Sequence, residues 1–445
     1  MQHLARIAYA TLLWLATPVY FLKLWRRGRA EPLYRHAIGE RLGWYGKSAA
    51  SSGWVWVHAV SLGETRAAAA LIAALREQRP TMRLLLTHGT ATGRTAGAAL
   101  LRTGDRQVWL PFDTPGAVSR FFKHFQPAVG VLMETEIWPN LLHAAQRRGV
   151  PMVLANARLS ERSARKAERV QALFRPAARS VALVLAQTPE DADRLRAVGA
   201  PRVEVSGNVK FDMTPDAAQL ALGRAWRQAI CRPVVLAAST REGEEAALLP
   251  AWNLMRQQQP ATDTHPRPLL LIVPRHPQRF DEVAALIAGS GLTAVRRNTW
   301  ADTLPPEATQ ADVWLGDSIG EMAAYFSCAQ VALLGGSFEP LGGQNLIEAA
   351  ACGCPVLMGP HTFNFADAAA MAQREGAAMR VDDMQAAVRV AVEMLANSGR
   401  DERNASTSSE SGHPNAVRAI SFASRHRGAA KRMAQPIDAL IESIS

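Results

Sequence analysis

Acidic and basic side chains follow apolar runs of this sequence at several points where a strand would end. Glu64 lies in "HAVSLGETRAAAA", Glu134 and Glu136 lie in "GVLMETEIWPN", and Lys210 lies in "SGNVKFD". Turns that lead from a strand into a helix are where α/β enzymes bind their ligands. Two acids at one strand end are costly unless they are solvated or paired. Glu134 and Glu136 therefore predict either a functional cleft or a salt bridge to an arginine.

Glu64 has a second interpretation, which is purely structural. Ser61 and Glu64 form the pattern Ser-x-x-Glu in front of an alanine-rich run. In a capping box with this spacing, the two side chains satisfy backbone N–H groups at the start of a helix. The local pattern leaves both interpretations open, a helix cap and a ligand-binding acid.

The segment "LLGGSFEPLGGQNLIEAAACGCPVLMGP" predicts a nucleotide site. Its glycine pairs, Gly335-Gly336 and Gly342-Gly343, allow the backbone to approach a ligand closely, and a helix that begins near Asn345 offers N–H groups to a phosphate. Glu348, one turn into that helix, can accept hydrogen bonds from ribose hydroxyls. The alternative is a pair of tight turns before a helix with an acid near its N-terminus. The segment matches neither a Walker A loop nor GxGxxG, which disfavours ATPases and dehydrogenases.

Two further turns in the same half carry comparable residues. In "LLLIVPRHPQRF" a buried run ends at Pro274, and Arg275 can reach a phosphate through charge-assisted hydrogen bonds. A solvated arginine at a strand end is the alternative. In "GDSIGEM", Gly320, Glu321 and Met322 lie at another strand end. Three such turns in one sheet favour a nucleotide site more than any one of them does alone.

Short β-branched runs alternate with helical patterns from Trp54 onward. One series extends from "WVWVHAV" to "RVEVSGN", and a second extends from "PVVLAAS" to "PVLMGP". Nearly continuous apolar strands separated by amphipathic helices indicate parallel sheets covered on both faces. The sequence therefore predicts an α/β fold with two Rossmann-like doubly wound domains facing a cleft, which suits a reaction of two substrates.

The predicted boundaries combine these series with composition. They are an N-terminal membrane anchor with a basic collar at 1–30, a first Rossmann-like domain at 31–222, a second, nucleotide-binding Rossmann-like domain at 223–397, a polar and mobile insertion at 398–430, and a C-terminal helix at 431–445.

Charge and hydropathy at the N-terminus predict a membrane partner. The chain carries 50 Lys and Arg against 39 Asp and Glu, a net charge of +11, which indicates an anionic partner. The run Ile7 to Leu22 has no charge, and basic residues follow it at Lys23, Arg26, Arg27, Arg29, Arg35 and Arg41. This order favours an uncleaved anchor on anionic lipid, with the remaining chain on the cytoplasmic side, over a signal peptide or a nucleic-acid groove. A buried helix of the first domain is the alternative.

The sequence gives little support for a bound metal. Its four cysteines form no CxxC pair and lack histidine partners at zinc-finger spacing. Asp191 and Asp193 form a DxD in "TPEDADRLRAVG", but Thr188 and Pro189 before them indicate first-turn acids of a capped helix.

A series of motifs in order along residues 39 to about 366 resembles the 3-deoxy-D-manno-octulosonate (Kdo) transferases of Gram-negative bacteria. The matching stretches are "GERLGWYG", "HAVSLGET", "METEIWPNL", "ANARLSERS", "GNVKFD", "STREGEE", "VPRHPQRF", "GDSIGEM" and "GGQNLIEAAACGCPVLMGPHTFNF". The resemblance implies a two-domain GT-B glycosyltransferase that needs no metal or other cofactor. It also implies CMP-Kdo as donor, a lipid A precursor as acceptor, and a place at the cytoplasmic face of the bacterial inner membrane.

The resemblance further implies a role for each matching residue. Glu64 would be the general base that removes the proton from the 6′-hydroxyl of the acceptor, and the reaction would invert the anomeric configuration. Glu134 and Lys210 would stabilise the transition state. The CMP contacts would be Pro274, Arg275, Gly320, Glu321, Met322, Asn345, Leu346, Ile347 and Glu348.

Two other functions are open to the same sequence pattern. One is a GT-B transferase or epimerase that uses a UDP-sugar, and the other is a membrane-anchored nucleotide-binding module without catalysis. Competition between CMP and UDP separates the first from a Kdo transferase. Retention of all function after Glu64→Ala would indicate the second.

Overall fold

The computed structural model describes residues 2–46, 50–258, 266–301, 303–404 and 414–443, with backbone alone for 398–404. The chain forms two compact units. Unit 1 is Met1–Asp212 with His426–Ser445, and unit 2 is Met213–Arg425.

Unit 1 is built on a seven-stranded parallel sheet of order β3-β2-β1-β4-β5-β6-β7. Its strands β1 to β7 are Trp54–His58, Arg83–His88, Arg106–Trp109, Pro127–Met133, Met152–Ala157, Leu183–Ala186 and Val203–Val205. Helices α1 to α8 are Gln2–Arg27, Leu62–Gln78, Ala91–Ala98, Pro115–Phe125, Pro139–Arg147, Glu161–Arg169, Gln171–Arg179 and Pro189–Ala197. The order is that of a doubly wound Rossmann-like sheet.

Successive side chains of each strand point to opposite faces of this sheet, and each face packs in an apolar cluster. Val55 and Val57 of β1 pack in one apolar cluster, and Trp54 and Trp56 pack in another on the opposite face. The first cluster includes apolar residues of a helix near the C-terminus of the chain, Ala429–Glu442. That helix therefore belongs to unit 1, although more than two hundred residues separate it from Asp212 along the chain.

Helix α1 exposes a long apolar surface. It is the one helix of the described residues that is long and apolar enough to cross a membrane. Leu12, Trp14, Leu15 and Val19 are each at least 60% exposed, which disagrees with the alternative of a buried helix. The helix touches the body of unit 1 through the Tyr9 hydroxyl, which donates a hydrogen bond of 3.0 Å to the Asp113 carboxylate.

Unit 2 has a second seven-stranded parallel sheet, of order β10-β11-β9-β8-β12-β13-β14. Its strands β8 to β14 are Val234–Thr240, Leu269–Pro274, Ala294–Arg296, Val313–Leu315, Val331–Leu334, Val356–Met358 and Ala378–Arg380. Helices α9 to α17 are Ala217–Ile230, Glu244–Gln258, Phe280–Gly289, Pro306–Gln310, Met322–Cys328, Leu346–Ala351, Ala366–Arg374, Met384–Asn404 and Pro414–Arg425, and the C-terminal helix Ala429–Glu442 of unit 1 is α18.

The two sheets confirm the predicted α/β fold class.

The structure also bears on three local predictions: the DxD at Asp191 and Asp193, the insertion at 398–430, and the basic collar. The Thr188 hydroxyl oxygen caps α8 by accepting a hydrogen bond from the Asp191 N–H. The buried Asp191 carboxylate accepts a hydrogen bond from the Leu159 N–H. The DxD is therefore part of a helix start. Within the predicted insertion at 398–430, α16 reaches Asn404 and α17 begins at Pro414, while 405–413 lie outside the described residues. Arg41 does not belong to the exposed basic collar, since it is 3% exposed.

A buried ion pair holds the loop after β9 in unit 2. The two terminal nitrogens of the Arg279 guanidinium, Nη1 and Nη2, donate to the fully buried Glu245 carboxylate at 2.9 Å, and the Thr240 hydroxyl donates to the same carboxylate at 2.6 Å. The substitution Arg279→Leu would leave a buried carboxylate without its cation. We expect the free energy of unfolding to fall by about 3–5 kcal/mol in thermal or urea unfolding. The matched control Arg196→Leu, which breaks an exposed Arg–Asp pair, should cost about 1 kcal/mol or less. Equal losses in the two variants would contradict this account.

Candidate active site

The sequence-predicted acids of unit 1 lie at the point where its strand order reverses. Glu64 lies in the first turn of the helix that follows β1, and Glu134 immediately follows β4. Strands β1 and β4 are neighbours in the sheet, and the chain leaves them in opposite directions across it. Ligands of doubly wound proteins bind outside the carboxyl ends of the strands at such a switch point.

Glu64 makes the contacts of a helix cap. Ser61 is the N-cap residue of α2, and its hydroxyl oxygen accepts a hydrogen bond of 3.4 Å from the Glu64 N–H. The Glu64 carboxylate accepts one hydrogen bond from the Ser61 hydroxyl, at 2.9 Å, and one from the Val60 N–H, at 2.8 Å. A carboxylate has about four lone-pair positions, so two hydrogen bonds leave room for a substrate hydroxyl.

The surroundings of Glu64 also favour proton uptake. Burial raises the pKa of the Glu64 carboxyl above its ordinary value, and the charge of Glu134 adds to this effect. The hydrogen bonds from Val60 and Ser61 act in the opposite direction. A carboxylate with raised pKa is a stronger base, so capping and base catalysis are compatible in one side chain.

Glu134 pairs with a lysine, Lys210, and not with an arginine as one of the two interpretations of its strand-end position expected. The Lys210 ammonium nitrogen lies 3.5 Å from the Glu134 carboxylate, and both side chains are about one-third exposed. Glu134 has a left-handed backbone, with φ of 58°, a conformation that is rare outside glycine and clusters at functional sites. The structure therefore brings Glu64, Glu134 and Lys210 to one edge of one sheet.

A chain of polar side chains fixes the backbone that carries Lys210. The buried Asn156 accepts from the Val209 N–H at 3.1 Å, and Asn208 accepts from the Lys210 N–H at 2.9 Å. Asn208 also donates to Gln187 at 3.0 Å. These amides hold the short 3₁₀ helix Val209–Asp212 against the ends of β5 and β6. Lys210 is thereby positioned by rigid elements although it lies in an irregular segment.

Glu136 joins the same group of carboxylates. Burial raises the pKa of its carboxyl to about 7, and the charges of Glu64 and Glu134 contribute to the increase. The sequence pattern had marked Glu136 as an acid at the strand end but gave it no role. Its electrostatic coupling to both other acids identifies it as a third member of the candidate site.

Glu136→Gln is expected to stabilise the protein above neutral pH. Because the folded-state pKa of Glu136 lies above the ordinary carboxyl value, its ionisation opposes folding, and the free energy of unfolding falls as pH rises toward about 7. At about pH 8 the variant should therefore be more stable by roughly 1–2 kcal/mol in urea unfolding.

The same substitution removes a negative charge near Glu64, so the acid limb of kcat/KM should move to lower pH. Glu393→Gln, at an exposed site of α16, should change neither quantity, and a destabilised Glu136→Gln would contradict the coupling.

Arg275 and Pro274 lie at the carboxyl end of β9 in unit 2. Pro274 is buried and ends the strand, whereas the Arg275 side chain is exposed. The Arg275 backbone N–H donates to the Thr240 carbonyl at 2.9 Å, and its guanidinium donates to the Gln344 side chain at 3.2 Å. Arg275 is thus anchored through its backbone and keeps most of its guanidinium donors for a ligand.

The glycine-rich segment after β12 folds over a buried acid. The Glu244 carboxylate accepts from the N–H groups of Gly336, at 2.8 Å, and Phe338, at 3.1 Å. A side chain at Gly335 would place Cβ 2.2 Å from the Ser239 carbonyl oxygen, so only glycine fits there. Glu244, which sequence reasoning passed over inside "STREGEE", is the residue that shapes this loop.

The helix at the end of this loop begins as predicted, with one qualification. Asn345 is its N-cap, and the Asn345 side-chain oxygen accepts from the Ile347 N–H at 3.1 Å. That N–H is therefore already occupied and was wrongly expected to be free for a phosphate. Leu346 and Ile347 are buried, while Glu348 is half-buried on the first turn.

The third predicted turn of unit 2 repeats the geometry around Glu64. The Ser318 hydroxyl donates to the Glu321 carboxylate, as Ser61 does to Glu64. Glu321 is also bound by Arg297 at 2.7 Å. Gly320 has φ of 88° with open space at its Cα, and Met322 begins α13. The carboxylate of Glu321 is neutralised by Arg297, so Gly320 and the start of α13 are better placed than Glu321 to meet a phosphate.

Comparison with known proteins decides the family. Residues 36–213 match the family model described as 3-deoxy-D-manno-octulosonic-acid transferase. The chain is 48% identical to the 3-deoxy-D-manno-octulosonic acid transferase of Bordetella pertussis over 391 residues, covering 86% of this chain and 90% of the relative. The chain belongs to the Kdo transferase family. The corresponding enzyme of Haemophilus influenzae is 34% identical over 88% of this chain and 91% of its own length. This Kdo transferase is therefore a glycosyltransferase.

Solved structures support the fold of this Kdo transferase. The UDP-GlcNAc 2-epimerase of Neisseria meningitidis, with UDP-GlcNAc bound, covers 87% of this chain and 99% of its own at a TM-score of 0.54 and 14% identity. At this identity the likeness shows the fold alone. It confirms the GT-B type predicted for the Kdo transferase.

Within the part of the chain that the structure describes, the candidate site of this Kdo transferase has no arrangement typical of a protein-bound metal. Among the described residues, no group of three or more His, Cys, Asp or Glu side chains could hold an ion. The carboxylates of Glu64, Glu134 and Glu136 interact through their charges, and Lys210 pairs with Glu134.

Proposed function

We propose that this enzyme transfers Kdo from CMP-Kdo to the 6′-hydroxyl of a bisphosphorylated lipid A precursor in lipopolysaccharide core biosynthesis. The transfer inverts the configuration of the anomeric carbon. The observation that carries the proposal is the partly buried Glu64 carboxylate at the β1–β4 switch point, whose pKa is raised above the ordinary value. Membership of the Kdo transferase family names the sugar that is moved.

The proposed chemical step uses Glu64 as general base. Glu64 takes the proton of the acceptor 6′-hydroxyl while that oxygen forms a bond to the anomeric carbon of Kdo. The bond between this carbon and the phosphate oxygen of CMP breaks, and its electron pair leaves with CMP. A base positioned in this way contributes about 10²–10⁴-fold to the rate.

Lys210 and Glu134 stabilise the charges that change during the step. The Lys210 ammonium group, held by Glu134 at 3.5 Å, supplies positive charge at the site where the acceptor oxygen becomes negative. Fixed charges of this kind need no reorganisation when the reaction occurs, which is why they lower the barrier. Glu134 keeps Lys210 in place. Because Glu134 adds a negative charge of its own, the single cation Lys210 does not neutralise the whole acidic cluster.

Unit 2 is proposed to hold the CMP part of the donor. Arg275 contacts the phosphate, and the N–H groups at Gly320 to Met322 and at Asn345 and Leu346 surround the nucleotide. Glu348, half-buried on the first turn of α14, accepts hydrogen bonds from the ribose. The arginine compensates the negative charge that develops on the leaving CMP.

Helix α1 is proposed to anchor the enzyme at the cytoplasmic face of the bacterial inner membrane. Its exposed apolar surface suits the lipid interior, and Lys23, Arg26, Arg27 and Arg29 follow at its end, where they meet anionic headgroups. An enzyme held at this surface encounters a lipid acceptor in two dimensions.

The donor assignment is tested by calorimetric binding of CMP, UMP and UDP to the wild type and to two arginine variants. CMP should bind more tightly than both uridine nucleotides, and Arg275→Ala should weaken CMP binding about 10–100-fold. Arg267→Ala, an exposed arginine close to the opposite end of β9, is the matched control and should bind CMP as the wild type does. Preference for UDP would indicate a UDP-sugar enzyme instead.

The acceptor position is tested with a lipid A precursor whose 6′-hydroxyl is methylated. The proposal requires that this compound accept no Kdo while the unmodified precursor does. Transfer to the methylated compound at the normal rate would place the new bond at another hydroxyl.

A further inference from the structure

Two arginines follow neighbouring strands at the carboxyl edge of the unit 2 sheet. Arg241 is the first residue after β8, and Arg275 is the first residue after β9. The order β9-β8-β12 places the reversal of strand order between β8 and β12, so Arg241 lies at the switch point of this sheet. Arg275 has a proposed role at the donor phosphate, whereas Arg241 has none.

The turn that carries Arg241 is fixed by its backbone. Ser239, near the end of β8, has a left-handed backbone with φ of 57°, a conformation that is rare outside glycine and clusters at functional sites. The Arg241 N–H donates to the buried Glu244 carboxylate at 2.8 Å, and the Gly336 N–H donates to the same carboxylate at 2.8 Å. One buried acid therefore joins the turn of Arg241 to the glycine-rich loop.

The Arg241 side chain lies against that loop. A Cβ atom on Gly336 would be 3.6 Å from Arg241 Cγ and 3.2 Å from the side-chain nitrogen of Gln344. The Gln344 side-chain oxygen accepts a hydrogen bond from the Arg275 guanidinium at 3.2 Å. Through Gly336 and Gln344, both arginine side chains border the same loop.

Arg241 keeps most of its side-chain donors for a ligand. Its Nε donates to the Glu242 carboxylate at 2.9 Å, while Nη1 and Nη2 form no hydrogen bond to any residue that the structure describes. The Glu242 side chain is more than half exposed. An exposed pair of this kind contributes little to stability, so a bound anion can replace Glu242 or lie beside it.

The nearby His276 responds to the positive charge of both arginines. Burial lowers the pKa of the His276 imidazole below its ordinary value, and the charges of Arg241 and Arg275 lower it further. The Glu242 carboxylate acts in the opposite direction, with a smaller effect than either arginine. Since one group is influenced by both charges, the two arginines form one cationic site at this edge of the sheet.

The proposed donor carries two anionic groups on one carbon. In an ulosonic acid such as Kdo, the carboxylate is bonded to the anomeric carbon, and in CMP-Kdo the same carbon is bonded to the phosphate oxygen. Arginine presents paired N–H donors that match the two oxygens of a carboxylate. Two arginines beside one loop therefore suit a ligand in which a carboxylate and a phosphate are close together.

We propose that Arg241 binds the carboxylate of the Kdo group while Arg275 binds the phosphate of the same donor. This inference rests on the proposed donor, CMP-Kdo. Arg241 is then a donor-binding residue that selects an acidic sugar over a neutral one. Because the carboxylate is bonded to the anomeric carbon, Arg241 also orients the carbon at which the new bond forms.

The test separates binding of the sugar from binding of the nucleotide. Calorimetry without acceptor measures the affinity for CMP, for CMP-Kdo, and for CMP-Kdo whose carboxylate is replaced by a carboxamide. The proteins are the wild type, Arg241→Gln, Arg241→Lys and the control Arg389→Gln, which removes an exposed arginine of α16. Initial rates of transfer give kcat and the donor KM, and a melting curve shows that each variant is folded.

The wild type should bind CMP-Kdo about 10–100-fold more tightly than the carboxamide, and Arg241→Gln should bind the two alike. Arg241→Gln should keep the wild-type affinity for CMP within about threefold, and its donor KM should rise by about 10–100-fold. Arg241→Lys should recover part of the discrimination, because it keeps the charge and loses the paired donors. Arg389→Gln should match the wild type in every measurement.

Two results would overturn the inference. If Arg241→Gln weakens the binding of CMP and of CMP-Kdo equally, Arg241 binds the phosphate. If Arg241→Gln still discriminates against the carboxamide as the wild type does, another group binds the carboxylate. Failure of the proposed function would be distinct from both, because the wild type would then bind neither CMP nor CMP-Kdo.

Discussion

Glu64→Gln is expected to reduce kcat for Kdo transfer about 100-fold or more while the melting temperature changes by only a few degrees. Glutamine has nearly the same shape, and its amide oxygen can still accept from the Val60 N–H, so most of the cap is retained. An amide cannot take up the proton of the acceptor hydroxyl. Initial rates at saturating CMP-Kdo and acceptor, with a melting curve for each protein, measure both quantities.

Ser61→Ala is the control that separates the cap from the base. It removes the N-cap oxygen of α2 and should lower the free energy of unfolding by about 0.5–2 kcal/mol. If Glu64 acts only as a cap, Glu64→Gln and Ser61→Ala should lose similar stability and similar activity. A Glu64→Gln enzyme with normal turnover would require another base, and Glu134 would be examined next.

Lys210→Met is expected to lower kcat about 100-fold and to move the acid limb of the pH profile to higher pH. Loss of a fixed cation at the site of charge development typically costs about 10²–10³-fold in rate. Without Lys210 the Glu134 carboxylate acts unopposed on Glu64 and Glu136, whose pKa values rise further, so the active ionised form of Glu64 is lost at a higher pH as the pH falls. Rates of transfer across a pH series give both numbers.

Lys431→Met is the matched control for this substitution. Lys431 forms an exposed pair with Glu77 at 3.2 Å in the same unit, so the variant loses a comparable lysine–glutamate contact away from the candidate site. It should leave kcat and the pH profile unchanged and alter stability by less than about 1 kcal/mol. A pH profile of Lys210→Met that coincides with the wild-type profile would show that Lys210 is not coupled to the carboxylates.

Local sequence patterns predicted much of the fold because they are determined by neighbouring residues. Apolar runs such as "WVWVHAV" became buried parallel strands, since both faces of each sheet are covered by helices. The pattern Ser-x-x-Glu indicated a cap as one of two interpretations of Glu64, and the structure contains that cap. Each acid was expected at a strand end, and the pairing of β1 with β4 places the two ends side by side. The resemblance to Kdo transferases supplied the roles, which the spacing alone had left open.

Other features could not be predicted because they depend on long-range packing. Arg41 follows a basic run in the sequence, yet it is buried against Trp109, with the guanidinium 4.1 Å from the ring centroid. The charge coupling of Glu136 with Glu64 requires the β1–β4 pairing, which no local pattern contains.

We propose that this Kdo transferase moves Kdo from CMP-Kdo to a lipid A precursor. The most direct test incubates the purified chain with CMP-Kdo and the bisphosphorylated precursor and follows the lipid by mass spectrometry and free CMP by chromatography. We expect a lipid product heavier by whole Kdo residues, with one CMP released for each Kdo added. CMP release without lipid product, or Kdo transfer only from another nucleotide sugar, would contradict it.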